Sequence, residues 1–406
     1  MWAIRAGSVF DGSAFLTDGA TVVLEDGRIA GIEAPGFALP ADCPALDHPG
    51  TLLPGLIDTH THLVGDSALG ALDRVAGYSD DELEAVVRSS LAAQLSAGVT
   101  TVRDLGDRRF NVVDRSAQPG EPLVVAAGPP ITSLGGHCHY LGGQVSGEAE
   151  IRSAIAARVE HGVDVVKVMA SGGMLTPGTD QLGSQFSDHD FKVIVDLAHA
   201  AGLPVTAHAH ALVAVRQALT VGVDGIEHCT CLTAEGPVVD PALVDALADA
   251  GIAVCGTAGG DVRELGPPPP HIQVLLDRMG LTADQVLGQR QGFLVQLYRS
   301  GVTFTCGVDS GIAPIKAHGS VSASIAVHVE APIPIAEVLA AATSVSAGVC
   351  RLPTKGAIAP GVDADLLLID GDPRQDVAAL SQVAGVVLGG EVVIGPPPAG
   401  PDAARP

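Results

Sequence analysis

Several short segments place histidines at a spacing that can grip a metal ion. The run D-T-H-T-H ends an apolar stretch, and the period-two alternation of an extended chain turns His60 and His62 to the same side. His208 and His210 end L-P-V-T-A-H-A-H, His228 ends D-G-I-E-H, and Asp309 ends V-T-F-T-C-G-V-D. Lys167, one of four lysines in the chain, sits inside V-D-V-V-K-V-M-A. An unpaired ammonium in a buried strand is costly, so Lys167 must be paired, neutralised or chemically altered. Inside a ring of metal ligands, CO2 can add to the amine and give a carbamate whose two oxygens bridge two cations. With His210 set aside, the remaining four imidazoles, Lys167 and Asp309 offer enough nitrogen and oxygen for two divalent ions of zinc type, with positions left for water.

Each feature alone has a plainer explanation. An H-x-H pair occurs by coincidence, a strand lysine snorkels at an edge, and Asp before Ser-Gly caps a turn. What coincidence does not supply is their joint placement, which depends on the elements that carry them. Eight Val/Ile-rich segments alternate with Ala-rich helical stretches: LLPGLIDTH, GVTTVRDL, PLVVAAG, VDVVKVMA, LPVTAHAH, DGIEHCT, GIAVCGT and VTFTCGVD. Several follow a helix stop such as S-A-G, E-H-G, A-A-G or D-A-G. This alternation predicts an α/β fold, a (β/α)8 TIM barrel over residues 57–354, whose active site lies at the carboxyl ends of the strands. The candidate residues end strands one, four, five, six and eight of that series. The flanks read as antiparallel β with Asp-Gly and Gly-Gly turns, so residues 1–56 and 355–395 are expected to pair into one small β-sandwich domain. The Pro/Ala/Gly-rich residues 396–406 are expected to be disordered.

Composition narrows the partners. The chain of 406 residues carries a net charge of −24, which disfavours nucleic acid and anionic membrane surfaces. It is 47% hydrophobic and only 17% charged, so it can build a core. Its seven cysteines are odd in number and form no C-x-x-C, which points away from disulfides and cysteine zinc sites and toward a reducing cytoplasm. The opening MWAIRAGSVFDG has no signal-peptide core, so the mature chain is expected to start near Met1. The most apolar long window, residues 331–350, contains Pro332, Pro334 and Glu337 and does not read as a bilayer span. A small-molecule or peptide substrate is the expected partner, and the Ala/Val-rich outer helices permit a homo-oligomer.

The segments P-G-L-I-D-T-H-T-H (54–62), K-V-M-A-S-G-G (167–173), T-A-H-A-H (206–210), G-I-E-H (225–228) and G-V-D-S-G (307–311) are similar, in order and spacing, to the amidohydrolase superfamily of metal-dependent hydrolases. The branch they resemble is the imidazolonepropionase-like and prolidase-like group, which includes Xaa-Pro and Xaa-Arg dipeptidases, ochratoxin-type amidases and aryl-urea hydrolases. Residues 355–373 match its closing β segment, so the resemblance spans nearly the whole chain. The resemblance implies that His60, His62 and Asp309 hold the more buried metal and that His208 and His228 hold the second. It further implies that Lys167, as its carbamate, bridges both, with a hydroxide between the ions. Zinc is the expected metal, with manganese, cobalt or iron as alternatives. Two cations would lower the pKa of the bridging water and polarise the scissile carbonyl. Asp309 would take the water proton and pass it to the leaving nitrogen.

The resemblance also implies that His137, in L-G-G-H-C-H-Y-L-G-G, contacts the substrate carbonyl. His139, Tyr140, Cys231 and His318 are further substrate candidates. His210 is expected to be structural, and Glu227, next to a ligand, to point to the opposite side. One departure stands out: relatives carry Gly and then an aromatic after the strand-six histidine, where this chain has Cys229 and Cys231. That weakens a simple dipeptidase assignment. Loops 171–185 and 259–271 are long enough to cover the barrel mouth. The implied activity is a binuclear metal-dependent hydrolase cleaving an amide C–N bond in a dipeptide, N-acyl amino acid or modified peptide. A cyclic amide, amidine, urea or carbamate substrate is the alternative. Less favoured are a mononuclear site on His60, His62 and Asp309 and a barrel scaffold that has lost its chemistry.

Overall fold

Short Val/Ile-rich runs bounded by Gly, Pro and Asp give strands throughout the chain, as their β propensity and punctuation dictate. The computed structural model describes residues 1–238, 240–260, 264, 266–268 and 270–399. The chain opens with β1 (Trp2–Val9), β2 (Ala20–Glu25), β3 (Arg28–Glu33) and β4 (Ala45–Pro54). Asp26 and Gly27 join β2 to β3 with φ of 49° and 78°, the positive values that a two-residue type I′ hairpin turn requires. There follow β5 (Leu56–Thr61), β6 (Val99–Asp104), β7 (Leu123–Ala126), the short β8 (Thr132–Ser133) and β9 (Gln144–Val145), and β10 (Val166–Met169). Next come β11 (Val205–Ala211), β12 (Gly225–Thr233), the short β13 (Gly236–Pro237), β14 (Ala253–Cys255) and β15 (Phe304–Thr305). The chain closes with β16 (Leu366–Ile369), β17 (Val383–Leu388) and β18 (Glu391–Ile394).

All eight strand segments expected between residues 52 and 309 are present. β5, β6 and β7 form one parallel sheet, and β10, β11, β12, β14 and β15 pair in parallel in another. Two parallel bridges link the sheets, Ile131 to Val168 and Thr61 to Ser310. Helices fill the connections between the parallel strands except that from β6 to β7, and their ends follow the sequence signals. Ser79 and Glu82 form a capping box at the start of the Asp80–Ser96 helix, which buries Leu83, Val87 and Leu91 at four-residue spacing. Gly162 and Gly222 end the Gly147–His161 and Leu212–Val221 helices in the left-handed conformation.

Both chain ends meet in a single seven-stranded sheet of order β18-β17-β16-β4-β1-β2-β3. Period-two alternation divides its residues between two cores. Ile4, Val22, Leu24, Leu366 and Leu368 pack in a cluster belonging to the sheet itself, while Leu53, Leu367, Ile369 and Val386 join Leu56, Val99 and Val102 beneath the parallel strands. β4 runs into β5 through Gly55, where a Cβ would stand 2.1 Å from Thr100 Oγ1, so only glycine lets the two sheets approach there. Residues 396–399, expected to be disordered, are not: Ala399 exchanges both backbone hydrogen bonds with Ala45, at 2.9 and 3.2 Å. Residues 400–406 lie outside the described residues. Loop 171–185 folds back on itself, with Ser171 bridged to Ser184 and Gly172 N bonded to Asp180 O at 2.9 Å. The other predicted lid, 259–271, falls partly outside the described residues. Among those described, no helix is long and apolar enough to cross a membrane, and the seven cysteines are free.

Candidate metal centre

The carboxyl ends of the parallel strands bring the chemistry-bearing residues together. Alternation along β5 puts the His60 and His62 rings 5.5 Å apart on one side. Buried Asp58 ties this strand to the segment that delivers Asp309: its carboxylate accepts from His60 N, Val308 N, Gln94 and, at 2.7 Å, the Ser310 hydroxyl. Asp309 Oδ1 then stands 3.3 Å from His60 Nε2 and 3.2 Å from His62 Nε2. The other nitrogen of each ring is engaged elsewhere. His60 Nδ1 donates to Glu227 Oε2 at 2.7 Å and His62 Nδ1 to the Gly106 carbonyl at 3.2 Å. Both hydrogen bonds place the ring proton on Nδ1 and leave the Nε2 lone pairs directed at one point beside Asp309.

A second cluster adjoins the first. His208 and His228 are 4.6 Å apart between ring centroids, and His60 is 5.2 Å from His228. His208 Nε2 donates to the Gly172 carbonyl at 3.2 Å, leaving Nδ1 as its free donor atom, and His228 Nδ1 bonds Thr257 Oγ1 at 2.8 Å. His210, expected to be structural, joins them. Its ring stacks on His228 at 4.5 Å and lies 4.7 Å from His208. His60, His62 and Asp309 form one group whose donor atoms lie within 4.8 Å of one another, and His208, His210 and His228 form a second.

Lys167 is 1% exposed, and its Nζ has no hydrogen-bond partner. Burial pushes its pKa down, and its charge reaches both histidine groups: it helps lower the pKa of His60, His208 and His228. Burial is the main cause in all three, taking His60 to about 4 and the other two well below the usual imidazole range. Neutral imidazoles keep the lone pairs that a cation needs. Burial works against charge on Asp309, yet His60, His62 and Lys316 hold it well below the usual carboxylate range. An orphaned amine whose charge acts on two compact sets of nitrogen and oxygen donors fits a pair of divalent cations.

Backbone strain concentrates here. Positive φ occurs at His228 (68°), Cys229 (48°), Cys231 (50°), Thr257 (45°) and Asp309 (69°), the kind of cost that persists where side chains must be aimed. It also corrects one expectation. Glu227 does not face away from the site: the turn of the backbone at His228 breaks the alternation, and both neighbours point inward. Glu227 is 1% exposed and accepts from His60, from Arg103 Nη2 at 2.9 Å and from Thr206 Oγ1 at 2.5 Å. Burial opposes its charge, but Arg103 and His60 hold its carboxyl well below the ordinary range. Arg103, an arginine inside an apolar strand, carried the same signal as Lys167 and could have been found by asking for its partner.

His137 reaches the cluster, with its ring 4.5 Å from His208 and Nδ1 2.9 Å from Thr176 Oγ1. Burial lowers its pKa to about 3. The remaining substrate candidates make their contacts elsewhere. His139 bonds the Gly136 carbonyl and meets Tyr140 edge-on, Tyr140 donates to Cys138 Sγ at 3.7 Å, and Cys231 is buried with its carbonyl held by Val238 N. His318 bonds the Gly65 carbonyl at 2.9 Å and lies 3.5 Å from both Thr61 and Gln94. Sequence patterns did not single out Lys316, whose Nζ is 4.0 Å from Asp309 Oδ2.

The model of the amidohydrolase family matches residues 51–393. The chain belongs to the amidohydrolase family. Among amidohydrolases, the imidazolonepropionase of Salinispora tropica is 29% identical to it over 389 residues, covering 88% of each chain. The ochratoxinase of Aspergillus niger is 24% identical over 392 residues, or 87% of this chain and 78% of that one. The crystal structure of a prolidase complexed with N-methylphosphonate-L-proline superposes with a TM-score of 0.81 at 26% identity, covering 96% of this chain and 98% of that one. This amidohydrolase therefore lies in the imidazolonepropionase- and prolidase-like branch and is a hydrolytic enzyme acting on C–N bonds.

Proposed function

We propose that this amidohydrolase uses two divalent cations to hydrolyse the amide bond of a dipeptide, an N-acyl amino acid or a modified peptide. The observation that carries this is Lys167. A fully buried amine without a hydrogen-bond partner among the described residues, whose charge acts on the histidines of both donor groups, makes sense as a carbamate that would ligate both cations. His60, His62 and Asp309 would hold one cation, and His208 and His228 the other, with His210 as an additional donor or a support for His228. Zinc suits the nitrogen-rich set. When bound, the pair supplies Lewis acidity toward the scissile carbonyl and acidifies water.

The chain's own groups do the rest. Asp309, ionised at neutral pH, takes the proton of the attacking water and hands it to the leaving nitrogen. His137 is neutral and orients the substrate carbonyl from beside His208. Glu227 and the Gly106 carbonyl fix the rings of His60 and His62. The bridges at Ile131–Val168 and Thr61–Ser310 support reading the two parallel sheets as one eight-stranded (β/α)8 barrel over residues 57–354. The chain ends, 1–56 and 355–395, would then form the flanking β domain, a β-sandwich only in the sense that their single seven-stranded sheet closes over its own core. Free cysteines agree with a cytoplasmic enzyme.

Hydrolysis of a cyclic amide is the second reading, favoured by the likeness to imidazolonepropionase and by Cys231 in the place of an aromatic. A hydrolysis screen of dipeptides, N-acyl amino acids and lactams with zinc- and manganese-loaded enzyme tests both. Turnover of the first two classes is expected. Turnover confined to lactams would replace the first reading by the second, and fewer than one bound cation per chain after supplementation would end both.

A further inference from the structure

A second feature lies at the opposite end of the parallel strands, away from the histidines. There a cavity of about 350 Å3 opens beside the first residues of β11, β12 and β14 and under the Ser344–Val349 helix. Arg103 lines it. This guanidinium is 4% exposed and spends Nε on the Thr59 carbonyl at 2.7 Å and Nη2 on Glu227 at 2.9 Å; Nη1 makes no hydrogen bond among the described residues. Asp164 lines the same cavity from its exposed rim. One of its oxygens accepts from Ala126 N at 2.8 Å, and it forms no ion pair among the described residues. Arg103 and Asp164 thus present opposite charges to one space without pairing to each other.

The other charged groups on the wall are already committed. Asp224 is held by His199 at 2.8 Å and by Arg351 at 3.4 Å. Val125, Val205, Val345 and Val349 supply apolar lining, beside Thr206 and Thr303. A phosphate or other dianion is disfavoured, because two carboxylates on the wall, Asp164 and Asp224, outnumber the one guanidinium nitrogen that has no partner among the described residues, and Glu227 already neutralises that guanidinium. A zwitterion with an aliphatic side chain satisfies every surface at once. We infer that this cavity is a binding site for a small aliphatic α-amino acid, its carboxylate on Arg103 Nη1 and its ammonium on Asp164. The site goes beyond the proposed hydrolysis and does not depend on it. Its guanidinium is also the far end of the Arg103–Glu227–His60 chain, so the cavity and the metal centre share a residue.

Gly348 allows a clean test. It lines the cavity from within a helix, and a Cβ there would meet nothing within 4 Å, so Gly348→Leu fills the space without a backbone clash. Calorimetric titration of metal-loaded protein with L-leucine, acetate and isobutylamine is the measurement. Wild type is expected to bind leucine saturably and more tightly than either half-molecule. Gly348→Leu should weaken leucine at least tenfold. Asp164→Asn, a rim change that keeps the fold if the filled variant fails, should weaken leucine about tenfold and leave acetate unchanged. Absence of saturable leucine binding to wild type overturns the site. So does leucine binding that both variants retain, and leucine binding that disappears on chelation while ignoring Gly348→Leu belongs to the metal centre and overturns it equally. None of these three results bears on whether the enzyme turns over amides.

Discussion

Glu227 Oε2 stands 2.7 Å from His60 Nδ1, and both side chains are only 1% exposed. The carboxylate is itself anchored by Arg103 and Thr206, so three strands, β6, β11 and β12, converge on the orientation of one imidazole from β5. A neutral ring that donates from Nδ1 to a carboxylate has a more basic Nε2 and one fixed tautomer. The pair therefore aims the lone pair of His60 at Asp309 and at whatever cation lies beside it.

Glu227→Gln keeps the volume but removes the charge, and it permits the amide to present nitrogen instead of oxygen to the ring. Cation affinity is expected to fall by about 10–100-fold, as is usual when a partner behind a ligand is lost. A chelator competition on the loaded protein measures this. Unchanged affinity would mean that Glu227 only balances the Arg103 charge.

Lys167 yields a prediction with opposite signs in stability and activity. Replacing a buried, unpartnered amine by an apolar chain of similar length removes a desolvation cost. The metal-free Lys167→Met protein should therefore be more stable than wild type by about 0.5–2 kcal/mol, the range of ordinary stabilising changes. Metal content should fall from about two ions per chain to about one, and turnover should nearly vanish, if the carbamate bridges two ions. Denaturant titration and metal analysis with and without bicarbonate read the two halves separately. Wild-type turnover in this variant would refute the bridge.

The eight strand segments and the residues that end them were legible because burial on both faces leaves near-continuous Val/Ile runs, in which a lysine, a histidine pair or an aspartate stands out. Glu227 departs from its expected orientation for a structural reason, whereas His210 lies beside His208 as the alternation predicts. Strict alternation assumes regular φ and ψ, and the backbone is irregular at the carboxyl end of β12, with positive φ at His228, Cys229 and Cys231 and a register shift against β11 between Ala209 and Ala211. No local pattern announces a positive φ at histidine or cysteine, because most such residues avoid it. The partners of Arg103 lie as far as 124 positions away in sequence, a distance that no short-range pattern spans. His318 drew attention as a histidine following strand eight, and its bonds tie that segment to Gly65 and to Gln94 of the Asp80–Ser96 helix.

The buried imidazoles make stability depend on pH. Burial lowers the pKa of His60 and His318 to about 4 and that of His137 to about 3, against 6.5 in an exposed histidine. Between pH 6.5 and 4 the unfolded chain binds protons that the folded chain refuses, so stability is complete above pH 6.5 and is lost as pH falls through this window. Each pKa unit corresponds to about 1.4 kcal/mol. His62, carried above 6.5 by its bond to Asp309 against burial, acts in the reverse sense, as do the buried carboxyls of Asp58, Asp104 and Asp107, the last raised to about 7. Against these four stand five lowered imidazoles, since His208 and His228 also lie well below the usual range, together with the lowered carboxyls of Asp309 and Glu227. The melting temperature of chelator-treated protein should drop steadily from pH 7 to pH 4.5, and His318→Gln should flatten the slope. A melting temperature independent of pH over that range would contradict the neutral, buried state of these rings.

Gly173 offers the sharpest probe of His137. Its backbone does not need glycine for conformational reasons, yet a Cβ there would stand 2.3 Å from His137 Nε2, and the ring is held in place by Thr176 Oγ1 at 2.9 Å. Gly173→Ala must therefore swing the imidazole away or break that hydrogen bond. The cation donors His60, His62, His208 and His228 make no bond to Gly173, so metal content should stay as in wild type while kcat/KM falls by about tenfold or more, a loss of roughly 1.4 kcal/mol of transition-state stabilisation. His137→Ala should show the same pattern, and the double variant should be no worse than His137→Ala alone, because both changes act through one ring. Full kcat/KM in Gly173→Ala would remove His137 from the reaction and leave it as packing between loop 171–185 and the histidine cluster.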